Sequence, residues 1–578
     1  MEAAIQHTID TWLNEGYDQQ TKDEIVRLQK ENPQELVEAF YRTLEFGTGG
    51  LRGIMGVGTN RMNQYTVGFA TQGLANYLTK CFKGHKVKVV ISHDSRLRSR
   101  EFAEITAAIL SANKIQVFLF EDLRPTPELS FAVRHLKCNA GIMITASHNP
   151  KEYNGYKVYW QDGGQLVPPH DKNVIKEVNK ITSLSQVKWN GDDSLIKIIG
   201  EDVDKVYLDK IAKLTLNPAA IKKAKNLKIV YTPLHGTGIT MVPKALDMYG
   251  FKNVYLVDEQ AVPDGNFPTV KSPNPEEKSA LELALKKADE VDADLILATD
   301  PDADRVGIAV RNAEGKMQLL NGNQTGSLLF HYMLSQWQHN GKLNGNQFVV
   351  KTVVTTDLIS AIATDYNVEC MDVLTGFKYI AEAILKNEGK KEFVVGGEES
   401  YGYLIGDFVR DKDSISACCL IAEMAAFYFA NGKVNHKTLT DALHDIYKSY
   451  GFYKEDLLSL TKKGKAGVEE IQQMMADFRS NPPKMLGGQP VVMMKDYAVS
   501  KSYDLVNHSN TIIDLPTSNV LQFFTADGSK ITVRPSGTEP KIKFYFSVIE
   551  HIKKRSDIAT EEARLNAKIE QLKKDIAG

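Results

Sequence analysis

The sequence predicts an α/β protein of three similar domains with mixed, mostly parallel sheets, followed by a C-terminal α+β domain. Three observations lead there. Short apolar runs rich in β-branched residues alternate with helical patterns, as strands do in a sheet covered on both faces. The alternation starts afresh three times, and each series runs into a loop of small and polar residues, where open α/β sheets place ligands. After about residue 450 the pattern changes to short alternating strands. A chain of 578 residues is long enough for about four domains.

The first 45 or so residues read as helices. Thr21 followed by Glu24 reads as a capping box. Asn32-Pro33-Gln34-Glu35 repeats the start signal with proline at the first helical position, and Leu36, Phe40 and Leu44 follow on one face. The glycine-rich GTGGLRG, Gly47 to Gly53, ends this extension. The first series has strands at Val87–Ile91, Ile115–Phe120 and Ala140–Ile144, with a helix in 101–113 and the loop TASHNP at its end. The second has strands at Leu227–Thr232, Asn253–Val257 and Ala293–Thr299, with a helix over Pro275–Val291. The third runs through Gln347–Asp357, Val368–Leu374 and Lys391–Ser400. In the last domain a helix in 466–479 precedes strands at Asn519–Ala526, Lys530–Ser536 and Lys541–Val548, and a charged helix closes the chain. The expected division is 1–205, 206–322, 323–450 and 451–578.

Composition excludes several classes. Apolar residues make up 43% and charged residues 25%, and the formal charge is −2. This is globular composition with no global basic field to hold nucleic acid. The five cysteines include no C-x-x-C pair, which argues against a zinc ribbon or a disulfide framework. The N-terminus lacks a basic region followed by an apolar one. The most apolar stretch, from Ala417, is interrupted by Glu423 and is shorter than the roughly 20 residues a bilayer requires. The expectation is a soluble cytoplasmic protein with neither nucleic-acid nor membrane partners.

Four loops carry chemistry. In Thr145-Ala146-Ser147-His148-Asn149-Pro150, a serine just past a buried strand reads as a nucleophile or a phosphorylation site; the alternative is a turn serine bonding its own backbone. A Ser–His pair is not expected, because neighbours in extended chain point to opposite sides. Asp300-Pro301-Asp302-Ala303-Asp304-Arg305 sets three carboxylates at a strand end, which is costly unless a cation joins them; hard oxygen ligands select Mg²⁺ or Ca²⁺. With Asp300 as position 1, an EF-hand would need glycine at Arg305 and glutamate at Arg311, so that motif is excluded. In Gly396-Gly397-Glu398-Glu399-Ser400-Tyr401-Gly402, carboxylates and a hydroxyl between glycines suit sugar hydroxyls, or acid–base work; the alternative is a tight turn with one surface glutamate. In Arg534-Pro535-Ser536-Gly537-Thr538-Glu539-Pro540, an arginine fork, hydroxyls and backbone N–H groups suit a phosphate; the alternative is a plain turn. No P-loop or G-x-S-x-G elbow is present.

A serine, a carboxylate triad, a polyol reader and a phosphate anchor, one per domain and in that order, resemble the four signature loops of the α-D-phosphohexomutases, the phosphoglucomutase/phosphomannomutase family. The likeness extends over nearly the whole chain, and its length and helical extension are similar to the longer phosphoglucomutase/phosphopentomutase branch. The resemblance implies four domains around a central active-site cleft. It implies an enzyme, an intramolecular phosphotransferase, moving phosphate between C1 and C6 of a hexose, with glucose first and mannose or pentose phosphates as alternatives. The route is a phosphoserine at Ser147 and a sugar bisphosphate intermediate that also serves as activator. It implies one Mg²⁺ held by Asp300, Asp302 and Asp304 with the phosphorylated Ser147. Glu398 and Ser400 would read the sugar, and Arg534, Ser536, Gly537 and Thr538 would hold the non-reacting phosphate. Arg52, His148, Lys157 and Arg305 would line the cleft, with His148 and Lys157 handling protons or charge; Lys378 is a further substrate-binding candidate. A hinge near 447–460 would let the fourth domain move. Two departures stand out: Ala303 replaces the usual glycine of the metal loop, and Gly402 stands where shorter phosphomannomutase-type members carry histidine. A phosphatase using Asp300 as nucleophile and a non-catalytic sugar-phosphate sensor are the rival readings.

Overall fold

In the computed structural model, residues 3–577 are described except 48, 313, 432–437, 463 and 537–540. Four sheets follow one another along the chain, and the chemistry-bearing loops leave their strand ends.

The first sheet has six strands. Lys88–His93 lies parallel to Gln116–Phe120 and to Ala140–Ile144, and Ile196–Ile199 extends the parallel part. Tyr153–Trp160 then doubles back antiparallel on Ala140–Ile144, and Gly50–Ile54 adds antiparallel to it. These last two strands were not anticipated. The glycine-rich segment is itself the edge strand, because Gly155 of YNGYKVYW admits close backbone approach: a Cβ there would lie 2.4 Å from the carbonyl of Thr145.

The second sheet has Ile229–Thr232 parallel to Val254–Leu256 and Leu295–Thr299, with Val306–Arg311 and Met317–Leu320 added antiparallel. The third pairs Gln347–Thr352 parallel with Glu369–Val373 and Glu392–Glu398, and Gly402–Ile405 returns antiparallel. The expected strand to Asp357 stops at Thr352, where the chain turns to seat the C-terminal domain. The helix expected over Pro275–Val291 begins as a 3₁₀ turn, Lys278–Leu281, and becomes α-helical at Glu282–Val291. The C-terminal sheet is entirely antiparallel, from Phe452–Thr461 through Lys541–Glu550, Lys530–Pro535, Leu521–Thr525 and Gln489–Asp496. One of its faces is apolar (Ile531, Val533, Ile542, Phe544 and Phe546 are buried); the other carries Lys530, Thr532, Arg534, Lys541 and Lys543.

The N-terminal helices form their own cluster around Ile9, Trp12, Ile25 and Phe40. The cap of Gln19–Glu31 is Asp18, which accepts from the N–H of Thr21 at 2.8 Å, so Thr21 is the third helical residue and not the cap. Asn32 caps Pro33–Phe40 as expected, but this helix ends before Leu44. The apolar run interrupted by Glu423 is the buried helix Ser414–Asn431. Glu423 is tolerated inside because it accepts from Tyr332 (2.8 Å), Thr215 (2.5 Å) and the N–H groups of Leu216 and Asn217. Among the described residues no helix is long and apolar enough to cross a membrane.

Candidate active site

Ser147 follows the strand Ala140–Ile144 and adopts a left-handed backbone, φ 52°. An unsupported non-glycine residue pays about 1–2 kcal/mol for that conformation. Arg96 supplies the support. Its side chain is shut off from solvent. Its guanidinium donates to the carbonyls of Ser147 (2.6 Å), Pro150 (2.9 Å), Tyr153 (3.0 Å) and Asn149. Asp94, 3.3 Å from Arg96 Nε, holds it in turn. The Ser147 N–H donates to Thr145 Oγ1 at 2.8 Å.

The left-handed turn overturns one expectation. Strict alternation would separate Ser147 from His148, yet His148 Nδ1 lies 3.2 Å from Ser147 Oγ. Burial, reinforced by Arg305, Arg52, Arg96 and Lys157, holds the His148 imidazole well below its ordinary range. Ser147 Oγ itself donates to Asp300 Oδ2 at 2.7 Å.

The metal loop leaves the strand Leu295–Thr299. Asp300, Asp302 and Asp304 are all buried, with ligand oxygens within 4.8 Å of one another. The loop wraps Asp300: its Oδ1 accepts from the N–H groups of Asp304 (3.1 Å) and Arg305 (3.0 Å). Ala303 takes φ 51°, which explains why glycine is the easier residue there; the Ser414 hydroxyl bonds its carbonyl at 2.5 Å. Burial and the two neighbouring aspartates push Asp300 well above the usual carboxylate range. Asp302 is also desolvated, but Lys157 holds it below that range. Lys157 Nζ lies 2.7 Å from Asp302 and 3.3 Å from Asp304. Its strand, Tyr153–Trp160, pairs it with Met143, which aims it under the serine loop. Asp302 Oδ1 and Asp304 Oδ1 are buried without a hydrogen-bond partner. Three hard carboxylates with two orphaned oxygens fit a Mg²⁺-type cation.

Above this floor opens a cavity of about 830 Å³. Its lining includes Arg52, His148, Arg305, Glu398, Ser400, Arg534 and Ser536. All four loops therefore face one space. Arg305 pairs with Glu276 at 2.5 Å, and Arg52 donates to Asn149 at 3.3 Å. Glu398 is pushed up to about 7 by burial, with Glu399 adding to the shift against the opposing charge of Lys412. Glu399 turns instead to the hydroxyls of Thr352 and Thr355, both 3.2 Å away. In the anchor loop, the Ser536 N–H donates to the Lys541 carbonyl at 2.7 Å. Gly537 and Thr538 lie outside the described residues. Lys378 does not line this cavity; its ammonium lies 5.1 Å from the centre of the Tyr379 ring, and burial lowers its basicity.

Sequence reasoning missed Arg96 and Lys412. Lys412 Nζ lies 3.1 Å from Asp304 and 3.0 Å from Asp411. Its side chain runs through the space beside Gly402: a Cβ at Gly402 would lie 2.2 Å from Lys412 Cδ. This is the physical content of the Gly402 departure, since a side chain at 402 and Lys412 exclude each other. The buried run Arg410-Asp411-Lys412-Asp413 was the available signal: four consecutive charges ahead of an apolar helix.

Three family models match the chain: phosphoglucomutase/phosphomannomutase α/β/α domain I over residues 43–185, domain II over 205–315 and domain III over 321–450. A phosphoglucomutase of Staphylococcus epidermidis is 40% identical over 519 residues, covering 89% of this chain and 92% of the relative. One from Staphylococcus aureus is 40% identical over 514 residues, covering 88% and 90%. Among solved structures, the Paramecium phosphoglucomutase parafusin, in an open form, superposes with TM-score 0.67 at 18% identity, covering 92% of this chain and 96% of that one. A phosphoglucomutase/phosphomannomutase family protein of Burkholderia thailandensis gives 0.62 at 18%, covering 92% and 97%. At such identities the two structures speak for the fold alone.

Proposed function

Because the chain belongs to the phosphoglucomutase/phosphomannomutase family, we propose that it interconverts glucose 1-phosphate and glucose 6-phosphate through a phosphorylated Ser147 and a glucose bisphosphate intermediate. The carrying observation is the placement of Ser147 Oγ, 2.7 Å from Asp300 in a buried carboxylate triad, with the adjoining His148 and Arg305 lining a cavity that Arg534 also lines. A nucleophile beside the cavity and an anion anchor on its wall suit a substrate that presents either phosphate to either end. We divide the chain at about 205, 322 and 450, between consecutive sheets.

Asp300, Asp302 and Asp304, with the phosphorylated Ser147, hold one Mg²⁺, which when bound neutralises charge on the transferring phosphoryl group. Arg96 fixes the serine loop. In the first half-reaction the bond from phosphorus to Ser147 Oγ breaks and one to the free sugar hydroxyl forms. We assign to His148, whose Nδ1 sits 3.2 Å from Ser147 Oγ, the relay of the proton lost by the sugar hydroxyl to the departing Ser147 Oγ, which leaves serine as its neutral hydroxyl. Lys157, pinned between two aspartates, contributes charge and not proton transfer. Arg52 and Arg305 supply further positive charge along the cleft. Glu398 and Ser400 bind sugar hydroxyls, and Arg534, Ser536, Gly537 and Thr538 hold the idle phosphate. The bisphosphate then turns end for end, and its other phosphate returns to Ser147.

The test is turnover of glucose 1-phosphate, primed with glucose 1,6-bisphosphate, beside mannose 1-phosphate and ribose 1-phosphate. Peptide mapping of the primed enzyme should place one phosphate on Ser147, and Ser147→Ala should be folded and inactive. Release of inorganic phosphate without isomerisation, surviving Ser147→Ala, would return the Asp300 phosphatase reading.

A further inference from the structure

The C-terminal domain is joined to the rest of the chain by one covalent crossing, at Gly451 between the helix Leu439–Tyr450 and the strand Phe452–Thr461. Gly451 takes φ 107°, a conformation that side chains rarely adopt. A single glycine crossing does not fix where the anchor strand sits. Arg555 ties the far side of the domain to Asp441 (3.2 Å) and Asp445 (2.7 Å) on the helix Leu439–Tyr450, and Val353 and Val354 pack against Tyr497 and Val520; the polar ties nearest the anchor strand lie on the segment that follows the strand Gln347–Thr352. The Lys530 ammonium lies 2.8 Å from Asp357 Oδ2 and 3.5 Å from the Val353 carbonyl. Gln522, on the neighbouring strand, donates to the same Val353 carbonyl at 2.8 Å. The other Asp357 oxygen is 3.0 Å from the wholly buried Lys351, which also reaches Asp372 at 2.8 Å. Asp357 is thus shared between one lysine from each of two domains.

Lys530 and Arg534 are on one strand, Lys530–Pro535, two alternations apart and on the same face. Tying Lys530 to Asp357 therefore restrains the strand that carries Arg534 at the point four residues from it. The tie is also breakable. Lys530 is only 6% exposed here, so its charge is matched at this seat by Asp357. Asp357 is half-buried, so water can replace Lys530 when the domain withdraws, and Lys351 still neutralises the aspartate that remains.

We propose that Lys530 and Asp357 form an interdomain latch, a positioning pair that holds the anchor strand in register with the nucleophile and keeps the bisphosphate from escaping while it turns around. This rests on the mutase reading for its kinetic consequence but not for its geometry. An enzyme that loses its bisphosphate is left with unphosphorylated Ser147 and depends on bisphosphate from solution.

The experiment uses the full chain carrying Lys530→Met, Lys530→Arg or Gln522→Met, each checked by thermal melting. Spin labels at the exposed native Cys81 and at an introduced Ser509→Cys read the distance between the first and last domains. Lys530→Met should broaden and lengthen that distance, and Lys530→Arg should restore it. Lys530 also lines the cavity, so the roughly tenfold rise in KM for glucose 1-phosphate expected of Lys530→Met would follow from a lost binding charge as well, and the distance decides for the latch. The variant should also require added glucose 1,6-bisphosphate where the wild type sustains itself. Should Lys530→Met not fold, Gln522→Met, which removes the second tie, should show the same direction more weakly. A folded variant with an unchanged distance distribution overturns the latch whatever the wild-type activity. A changed distance in a protein that isomerises no sugar phosphate would keep the latch and remove the mutase reading.

Discussion

Gly402→Ala probes whether Lys412 is part of the site. The added Cβ would lie 2.2 Å from Lys412 Cδ, 2.7 Å from its Cγ and 3.1 Å from Glu398 Oε1. Ordinary carbon contacts are about 3.5–4.0 Å, so more than an ångström must be found. Lys412 has little room to give, because its ammonium is held by Asp304 and Asp411 and the residue is buried. If the stem bends and the ion pairs survive, the cost is that of overpacking, about 1–3 kcal/mol. If the ammonium leaves, Asp304 and Asp411 lose a buried partner, which costs about 3–5 kcal/mol when nothing replaces it. Lys157 remains 3.3 Å from Asp304, so a loss of about 2–3 kcal/mol is expected. Lys412→Ala removes Cγ and Cδ together, so in that background Gly402→Ala should cost much less, only the 3.1 Å approach to Glu398 Oε1 remaining. The assay is a double-mutant cycle in denaturant stability, with kcat/KM alongside. A Gly402→Ala loss that is equal in both backgrounds, or absent in both, would refute the reasoning.

Three further outcomes follow from the same geometry. Asp302→Asn should weaken Mg²⁺ binding, measured by calorimetry, and lower kcat, because Lys157 and the cation both lose a formal charge partner. Arg534→Ala should lower kcat/KM about ten- to hundredfold in both directions, the worth of a charge-assisted bond of about 1.5–3 kcal/mol, and Arg534→Lys should recover only part; unchanged values would reduce that loop to a turn. Glu398 holds its proton up to about 7 when folded, against the ordinary value of 4.5. Between those pH values the folded state binds more protons than the unfolded one, so this group makes stability fall as pH rises through the window, by at most about 3 kcal/mol. Glu398→Gln should flatten that slope in denaturant titrations between pH 5 and 8, and an unchanged slope would contradict the assignment.

The chemistry was legible because it sits in contiguous loops at strand ends. TASHNP, DPDADR, GGEESYG and RPSGTEP are each contiguous, each contributes residues to the lining of one cavity, and the buried strands before them are plain in the sequence. The antiparallel returns, Tyr153–Trp160 and Gly402–Ile405, were not, since polar and glycine residues in them mask the strand pattern. Local order also misled at Ser147, where extended alternation separates Ser147 from His148. Arg96 is 51 residues away from Ser147, and its four carbonyl bonds stabilise the left-handed turn that brings the two side chains together. Lys157 reaches the aspartates from the first sheet and Lys412 from the loop before the helix Ser414–Asn431, and Lys530 meets Asp357 across a domain boundary. The sequence by itself determined which groups are present and which strand ends display them, because periodicity and turn chemistry act over a few residues. Only the tertiary structure decided which charges share a carboxylate, because burial removes water and makes each such pairing depend on residues distant in the chain.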